Sequence, residues 1–171
     1  MAVEIEHKFL LANENWRSQA YQHTHYRQGY LSAIPTSSIR VRVTDQRAWL
    51  NIKSATIGNC RHEYEYEIPL DDAQEMLNTL CQSPLIEKTR HWVKYAGFVW
   101  EIDEFEGVNQ GLIVAEIELP KLDTVFEKPD WLGLEVTEDK RYYNNNLAKY
   151  PYSKWSEFSP ENTDYSGFNK R

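Results

Sequence analysis

The first strand-like segment of the chain, residues 3–11, separates its charges completely from its apolar side chains. Successive side chains of an extended strand point to opposite faces. One face is apolar and holds Val3, Ile5 and Phe9. The opposite face is ionic and holds Glu4, Glu6 and Lys8. Carboxylates two positions apart along a strand lie about 6.5–7 Å from each other, which costs roughly 2 kcal/mol at an effective dielectric constant of about 20. A divalent cation bound between the two carboxylates would replace this repulsion by attraction, because hard cations take oxygen ligands. For one strand alone, a solvated face is the simpler interpretation.

The same alternation recurs along the chain, with the sign of the charge sorted strand by strand. The basic positions are Arg40 and Arg42 in 38–43, Lys53 in 49–53, and Lys88 and Arg90 in 85–95. The acidic positions are Glu101 and Asp103 in 98–105, and Glu116 and Glu118 in 112–119. Segment 60–68 is charged at every odd position from 61 to 67. Solvated sheet faces usually mix small polar residues with single charges of both signs, whereas paired like charges repel unless an opposite charge lies between them. The pattern favours charges that face an enclosed interior.

Together with a further strand predicted at 25–31, these segments give about eight strands in mostly hairpin order, and the last strand is short and lies at 131–137. An antiparallel sheet of this kind closes on itself because closure removes exposed edges. A helix predicted at 71–82 has an apolar stripe and needs an apolar surface to pack on. The expected fold is α+β: an eight-stranded antiparallel closed β-barrel that forms a tunnel with a charged interior and helices packed on the outside. The alternative is a barrel filled by Ile, Val, Tyr and Trp, with its charges turned to solvent.

Length and composition fit one ordered globular domain. The 171 residues predict a single domain with a core at about 3–150 and a C-terminal tail at 151–171. The net charge of −7 argues against general binding of nucleic acid or anionic membranes. The two cysteines do not resemble a disulfide framework or a metal-binding pair. We find no apolar run near the transmembrane length of about 20 residues and no leading signal segment, so we expect a cytoplasmic protein.

A tunnel with one basic wall and one acidic wall suits a polyphosphate held together with a divalent metal. Arginine and lysine bind phosphate oxygens, arginine often through two parallel hydrogen bonds. Carboxylates hold Mg²⁺ or a similar ion that also contacts phosphate. Such an ion can activate water and neutralise the charge of a leaving group. The sequence has no Walker loop, Ser/His/Asp set or paired-cysteine site that competes with this interpretation.

The run Glu4-Ile5-Glu6-His7-Lys8 matches the E-x-E-x-K motif of the CYTH superfamily, the triphosphate tunnel metalloenzymes. The resemblance extends over about residues 3–150, through the basic and acidic positions above and through Glu135-Val136-Thr137-Glu138-Asp139-Lys140-Arg141-Tyr142. It implies a tunnel fold, a small-molecule triphosphate substrate and Mg²⁺ or Mn²⁺ as cofactor. The metal ligands that it implies are Glu4, Glu6, Glu63, Glu65, Glu116 and Glu118. The substrate-binding residues that it implies are Lys8, Arg40, Arg42, Lys53, Arg61, Lys88, Arg90 and Lys140. The predicted catalytic residues are Glu4, Glu6, Lys8 and Asp103, with Asp103 otherwise a structural partner of a tunnel arginine.

Several activities share this motif. The chain most resembles the short bacterial inorganic triphosphatases, through its length, through 27–31 and through 135–142. The expected reaction is therefore hydrolysis of tripolyphosphate to pyrophosphate and phosphate. Class IV adenylyl cyclase, thiamine triphosphatase and a non-enzymatic module that binds polyphosphate or a nucleotide triphosphate remain alternatives. The run 107–112 departs from the G-L-G-x-F that the cyclases tend to carry before their paired acids. Whether the protein is a monomer or a homodimer stays open.

Overall fold

A computed structural model describes residues 2–55, 57 and 60–158, and nine strands and two α-helices lie in these ranges. The strands are β1 (Ala2–Leu11), β2 (Ala20–Ile34), β3 (Ser37–Val43), β4 (Ala48–Ser54), β5 (Cys60–Ile68), β6 (Ile86–Tyr95), β7 (Phe98–Phe105), β8 (Ile113–Glu118) and β9 (Leu132–Glu135). The helices are α1 (Leu70–Thr79) and α2 (Asn144–Lys149), and 3₁₀ segments cover Asn15–Gln19, Gly107–Asn109, Lys140–Tyr142 and Tyr152–Phe158.

Eight of the strands close into an antiparallel ring in the order β5-β4-β3-β2-β6-β7-β8-β1, with β1 pairing back onto β5. The closing contact joins the start of β1 to β5, with Ala2 opposite Glu63 and Ile5 opposite Cys60. The short β9 adds to the far end of β1. The predicted antiparallel tunnel is therefore confirmed, with β9 as an attachment to the ring.

Three element bounds differ from the sequence expectation. Strand β2 begins at Ala20, although alternation predicts a strand only over 25–31. The polar run at 21–24 shows no apolar alternation, and pairing with β6, with Ala20 opposite Val93, holds it in an extended conformation. Helix α1 ends at Thr79 instead of near 82, and β9 covers Leu132–Glu135 instead of 131–137.

Most outward-facing apolar side chains of the ring are covered, whereas Tyr64 and Tyr66 of β5 stay exposed. One core cluster packs under the segments before β2 and before β9, and it includes Phe9, Trp16, Trp100 and Trp131. A second cluster lies under α1, whose buried Ala73 and Leu77 pack on the apolar residues of β3 and β4. The sheet therefore has the outward apolar surface on which α1 was predicted to pack. The charged side chains of the same strands face the interior.

One end of the interior is filled by apolar side chains. Cross-strand register places Tyr30, Ile86, Phe105 and Val114 on the same face as the charged residues, because they stand opposite Arg40, Gln28, Lys88 and Asp103. These four residues form a cluster with Leu147, Ala148 and Trp155 of the C-terminal segment. The segment from Lys140 to Trp155, which we call the plug, therefore packs into one end of the tunnel.

The predicted C-terminal tail lies partly in this plug. Trp155 packs edge-on against Tyr142 and Tyr152, with ring centroids 5.0 and 5.1 Å away. Residues 159–171 of the predicted tail lie outside the described residues. None of the helices in the described ranges has the length and apolar character required to cross a membrane.

Candidate functional site

The interior of the ring contains a cavity of about 680 Å³, and 13 of the 22 residues that line it are charged. Twelve of the residues predicted from sequence line it: Glu4, Glu6, Lys8, Arg40, Arg42, Lys53, Arg61, Glu63, Glu65, Arg90, Glu116 and Glu118. They come from β1, β3, β4, β5, β6 and β8, and alternation along each strand turns them all to one face. The closed ring thus brings together the separate ionic faces of the sequence.

Three predicted residues are placed elsewhere. Lys88 and Asp103 are fully buried in the wall formed by β6 and β7, where they are only 1% exposed, and they are not among the residues that line the cavity. Lys140 is exposed in the 3₁₀ segment of the plug and is likewise absent from the cavity lining. Its proposed contact with phosphate stays a prediction.

Lys8 is the cation at the centre of the acidic wall. Its ammonium nitrogen binds Glu116 and lies 3.4 Å from Glu6 Oε1. Burial alone would lower the pKa of Lys8, but the charges of Glu116 and Glu6 outweigh burial and raise the pKa. The backbone at Lys8 is held by its N–H, which donates to Thr137 Oγ1 at 3.0 Å. The two carboxylates therefore favour the charged form of Lys8.

A second ionic group lies where β1 meets β5. Lys53 Nζ donates to Glu4 Oε1 at 3.0 Å, and Arg61 binds Glu4 at 2.8 Å and Glu6 at 3.0 Å. Burial opposes ionisation of Glu4, but its hydrogen bonds with Glu63 and Lys53 and the charges of Lys53 and Arg61 lower its pKa. The pKa of Glu63 is raised to about 7 by burial and by its hydrogen bond with Glu4. Burial and the positive charges of Arg40 and Arg61 lower the pKa of Lys53 to about 8.

The basic wall on β3 has unused hydrogen-bonding capacity. Arg40 and Arg42 both point inward, and the Nε atom of each is buried without a hydrogen-bond partner among the described residues. Arg42 also stacks near the rings of Tyr26 and Trp49, at 5.0 and 5.4 Å, and binds Glu65 at 3.2 Å. Burial and the charges of Arg40 and Arg90 lower the pKa of Arg42. Two adjacent arginines with unpaired donors form a strong site for an anion.

Behind the cavity, Asp103 holds the second basic pair. Lys88 Nζ donates to Asp103 at 2.5 Å, and Arg90 binds both oxygens of the same carboxylate at 2.7 and 2.8 Å. Burial alone would raise the pKa of Asp103, but the charges of Arg90 and Lys88 lower it. The pKa of Lys88 is lowered to about 8, chiefly by burial. Of this triad, Arg90 reaches the cavity, where it binds Glu101 and lies 3.6 Å from Glu116.

Residues 2–150 match the CYTH domain family. The chain belongs to this family. A curated relative from Acetivibrio thermocellus, named inorganic triphosphatase, is 48% identical over 157 residues, which cover 92% of this chain and 100% of the relative. Another inorganic triphosphatase, from Nitrosomonas europaea, is 39% identical over 151 residues, covering 85% of this chain and 97% of the relative. The crystal structure of the inorganic triphosphatase NE1496 superposes with a TM-score of 0.63 at 35% identity, covering 86% of this chain and 95% of that one.

The acidic wall of this CYTH domain has the chemistry of a site for a hard cation. Glu6 stands directly opposite Glu118 across β1 and β8. Carboxylates so placed repel each other unless a cation neutralises them, and Lys8 and Arg61 already lie against Glu6. Burial raises the pKa of Glu118, and the negative charges of Glu4, Glu101 and Glu6 raise it further. All of these donors are carboxylate oxygens, the ligands that Mg²⁺ and Mn²⁺ take. The residues present therefore fit a divalent ion.

The sequence did not identify as site residues either Glu101, which lines the cavity, or Asn51, which binds two of the lining glutamates. Glu101 lines the cavity and binds Arg90, and it could have been found because it shares a face with Asp103. Asn51 is buried and donates to Glu63 at 2.9 Å and to Glu65 at 2.5 Å. A neutral residue carries no charge pattern, so alternation alone did not identify it.

Tyrosines are also part of the site. Tyr30 is 5% exposed, lines the cavity and stands opposite Arg40. Tyr143 lines the cavity at the plug, with its ring 5.0 Å from Lys8 Nζ and its hydroxyl donating to Thr137 O at 2.9 Å. Sequence spacing alone places neither ring in the tunnel, because their positions depend on the path of β2 and of the plug.

A separate ionic cluster lies outside the tunnel. His25 Nε2 is 3.3 Å from Glu106 and 3.9 Å from Glu87, and the ligand atoms of these three residues lie within 4.8 Å of one another. Their carboxylates already have partners, since Arg27 lies 3.4 Å from Glu87 and Thr89 donates to Glu106. The cluster sits on the outward face of β2 and β6, so it cannot contribute to the cavity.

Proposed function

We propose that this protein is a divalent-metal-dependent inorganic triphosphatase that hydrolyses tripolyphosphate to pyrophosphate and phosphate inside the tunnel. The observation that carries the proposal is the cavity, in which a wall of paired carboxylates faces arginines with unpaired donors. The names of the two curated relatives, which match over most of their length, support the same activity. A linear polyanion fits this cavity because its oxygens can accept hydrogen bonds along its whole length.

The basic side chains would bind and orient the phosphate chain. Arg40 and Arg42 on β3, Lys53 and Arg61 on the adjacent strands, and Arg90 on β6 all face the cavity. Several of them are now bound to glutamates. Binding of the anion would therefore exchange carboxylate partners for phosphate oxygens. The glutamates set free by this exchange are then available to a metal.

The carboxylates Glu4, Glu6, Glu63, Glu65, Glu116 and Glu118 would hold Mg²⁺ or Mn²⁺. A bound ion of this kind polarises phosphoryl oxygens and makes a water molecule easier to deprotonate. Lys8, fixed between Glu6 and Glu116, would place its positive charge where negative charge accumulates during phosphoryl transfer. We infer that Asp103 acts from behind the cavity by orienting Arg90 and Lys88.

The plug closes one end of the tunnel and presents polar side chains to the cavity. Tyr143, Asn144 and Asn145 line the cavity where the C-terminal segment enters the tunnel. Because a substrate that occupies this end must fit against them, we propose that a free terminal phosphate lies there. Cyclisation of ATP is the second candidate reaction, since adenylyl cyclases share the motif, and its products distinguish it.

A product assay tests the proposal. The protein is incubated with tripolyphosphate, ATP, thiamine triphosphate or pyrophosphate in Mg²⁺ or Mn²⁺, and free phosphate, pyrophosphate and cyclic AMP are measured. We expect phosphate and pyrophosphate in equal amounts from tripolyphosphate, and loss of turnover on chelation with EDTA. Turnover that persists in EDTA, or cyclic AMP as the main product, would contradict the proposal, and saturable binding without turnover would identify a binding module.

Variants of the two walls connect the activity to the cavity. Glu116→Gln and Arg40→Ala should each abolish most turnover without unfolding the protein, because each removes one charge from a different wall. Glu127→Gln, at an exposed position, is the matched control and should retain full activity.

The remaining properties stay predictions. The net charge of −7 supports a small-molecule partner over nucleic acid or an anionic membrane. A cytoplasmic location and a monomeric or homodimeric state are expected, and cell fractionation and sedimentation equilibrium would test them.

A further inference from the structure

Gln28 on β2 combines complete burial with a lack of hydrogen bonds. Its side chain is 0% exposed, and neither its amide oxygen nor its amide nitrogen has a hydrogen-bond partner among the described residues. Burying an amide in this state costs free energy, and folded proteins retain few such groups. An amide that nothing in the protein satisfies therefore calls for a functional explanation.

Cross-strand register places Gln28 directly behind the basic wall. It stands opposite Arg42 on β3, and the next inward position of β2, Tyr30, stands opposite Arg40. On its other side, the preceding inward residue, Tyr26, stands opposite Lys88. Gln28 therefore lies on the inner face of the ring, within a group of three cationic side chains.

The same two arginines have the complementary deficiency. The Nε atoms of Arg40 and Arg42 are buried and, within the described residues, lack hydrogen-bond partners. An Nε–H group can only donate, whereas the amide oxygen of glutamine can only accept. The unpaired Nε–H donors of Arg40 and Arg42 and the unpaired amide oxygen of Gln28 therefore belong to neighbouring residues on the inner face of the ring.

The present contacts of Arg42 hold its guanidinium group in another direction. Arg42 is bound through Nη2 to Glu65 at 3.2 Å and lies over the rings of Tyr26 and Trp49. If a phosphate replaced Glu65 as the partner, the guanidinium group would turn toward the anion and the direction of Nε–H would change. Gln28, the cross-strand neighbour of Arg42, is a buried acceptor without a partner among the described residues.

We propose that Gln28 is a positioning residue for the substrate anion, with its Oε1 atom accepting Nε–H of the Arg40 and Arg42 pair when these arginines bind phosphate. This inference rests on the proposed function. Gln28 acts through the arginines and does not line the cavity itself. The unsatisfied amide of the free protein is then the cost of an arrangement that is completed only by substrate.

The test is Gln28→Met, which keeps the length of the side chain and removes both polar atoms. Dissociation constants for tripolyphosphate are measured by calorimetry without metal, and KM and kcat are measured with Mg²⁺. We expect the dissociation constant and KM to rise about 10- to 150-fold, the contribution of one hydrogen bond to a charged donor, with kcat within two-fold. The melting temperature should be unchanged or higher, because replacing an unsatisfied amide by an apolar group of similar shape is neutral or stabilising.

Gln74→Met, the same substitution on the exposed surface of α1, is the matched control and should change neither affinity nor melting temperature. A Gln28→Met protein with wild-type affinity and KM would overturn the inference. So would a variant whose affinity falls only together with its melting temperature, because that result identifies a structural role.

The structure of the wild-type protein with tripolyphosphate provides a second measurement if the variant does not fold. Gln28 Oε1 within hydrogen-bond distance of Nε of Arg40 or Arg42 is the expected result, and an amide that still lacks a partner in the complex would contradict it. If the wild-type protein neither binds nor hydrolyses tripolyphosphate, the proposed function fails. If only the Gln28 measurements fail, the proposed function stands.

Discussion

Asp103 and Glu118 are both inward-facing carboxylates, yet their surroundings move their pKa values in opposite directions. Burial opposes ionisation of both side chains. Asp103 overcomes it because Lys88 and Arg90 bind the carboxylate, and its pKa falls. Burial and the neighbouring negative charges raise the pKa of Glu118. The first carboxylate is satisfied by the protein, and the second is available to a cation.

Glu118→Gln separates binding from stability. Removing a negative charge from a crowded acidic wall should raise the melting temperature of the metal-free protein. It should also weaken metal binding by at least the ~10- to 100-fold that loss of an outer-shell partner costs. Calorimetric titration with Mn²⁺ and a thermal scan measure the two effects. Glu127→Gln is the control, and unchanged metal affinity in the Glu118 variant would contradict its assignment.

Asp103→Asn tests the buried triad and its pH dependence. Removing this charge leaves the buried Lys88 without its bound carboxylate, whereas Arg90 keeps Glu101 and Glu116. The loss should lower the free energy of unfolding by about 3–5 kcal/mol at neutral pH. The lowered pKa of Asp103 means that the folded protein binds fewer protons than the unfolded chain. The Asp103 carboxylate therefore makes its full contribution to the free energy of unfolding above the unfolded pKa of about 3.9. This contribution is lost as the pH falls through the folded pKa.

Denaturant unfolding of the wild-type protein and of Asp103→Asn at pH 7, 4 and 3 measures this effect. The difference between the two proteins should be largest at pH 7 and should shrink on acidification. Asp123→Asn, at an exposed position, is the control. A difference that stays constant from pH 7 to 3 would show that the carboxylate charge is not what stabilises the triad.

At the scale of elements, the tunnel joins two kinds of structure that differ in how well sequence predicts them. Strict alternation identified the inward faces of β1 and β3, because charge and apolar character separate cleanly there. The neutral inward residues of β2 carry no such signal, so Gln28 and Tyr30 were missed. The plug is built of 3₁₀ turns and one short helix, whose packing has no sequence period.

Trp155→Ala tests whether the plug is an independent element. Trp155 is 9% exposed and packs on two tyrosines of the same segment, so its truncation should cost about 3–5 kcal/mol. A short segment cannot sustain that loss, and we expect it to detach while the ring stays folded. Hydrogen exchange should become fast in Lys140–Tyr142 and α2 and stay slow in β6 and β7.

Tyr66→Ala is the control for Trp155→Ala, because the ring of Tyr66 on β5 is 56% exposed. This variant should leave hydrogen exchange in the plug unchanged. Cooperative unfolding of the ring in Trp155→Ala would show instead that plug and ring form one folding unit.

At the scale of the whole molecule, closure of the ring brings the charged faces of separate strands to one enclosed cavity. The sequence predicted the tunnel because paired like charges on successive strands make sense only when opposite walls face each other. It could not predict the register of β1 on β5, which brings Arg61 opposite Glu4. Nor could it show that Lys88 and Asp103 lie behind the cavity and Lys140 outside it, because depth within a wall depends on packing between distant elements.

The proposed reaction requires metal and phosphate to bind together in the inner cavity. The most direct measurement is a crystal structure of the protein with tripolyphosphate and Mn²⁺, with anomalous diffraction used to locate the metal. We predict an anomalous peak at the acidic wall, among Glu6, Glu116 and Glu118, with the phosphate chain bound to Arg40 and Arg42. Manganese and phosphate found outside the tunnel, or a cavity that stays free of both at saturating concentrations, would contradict it.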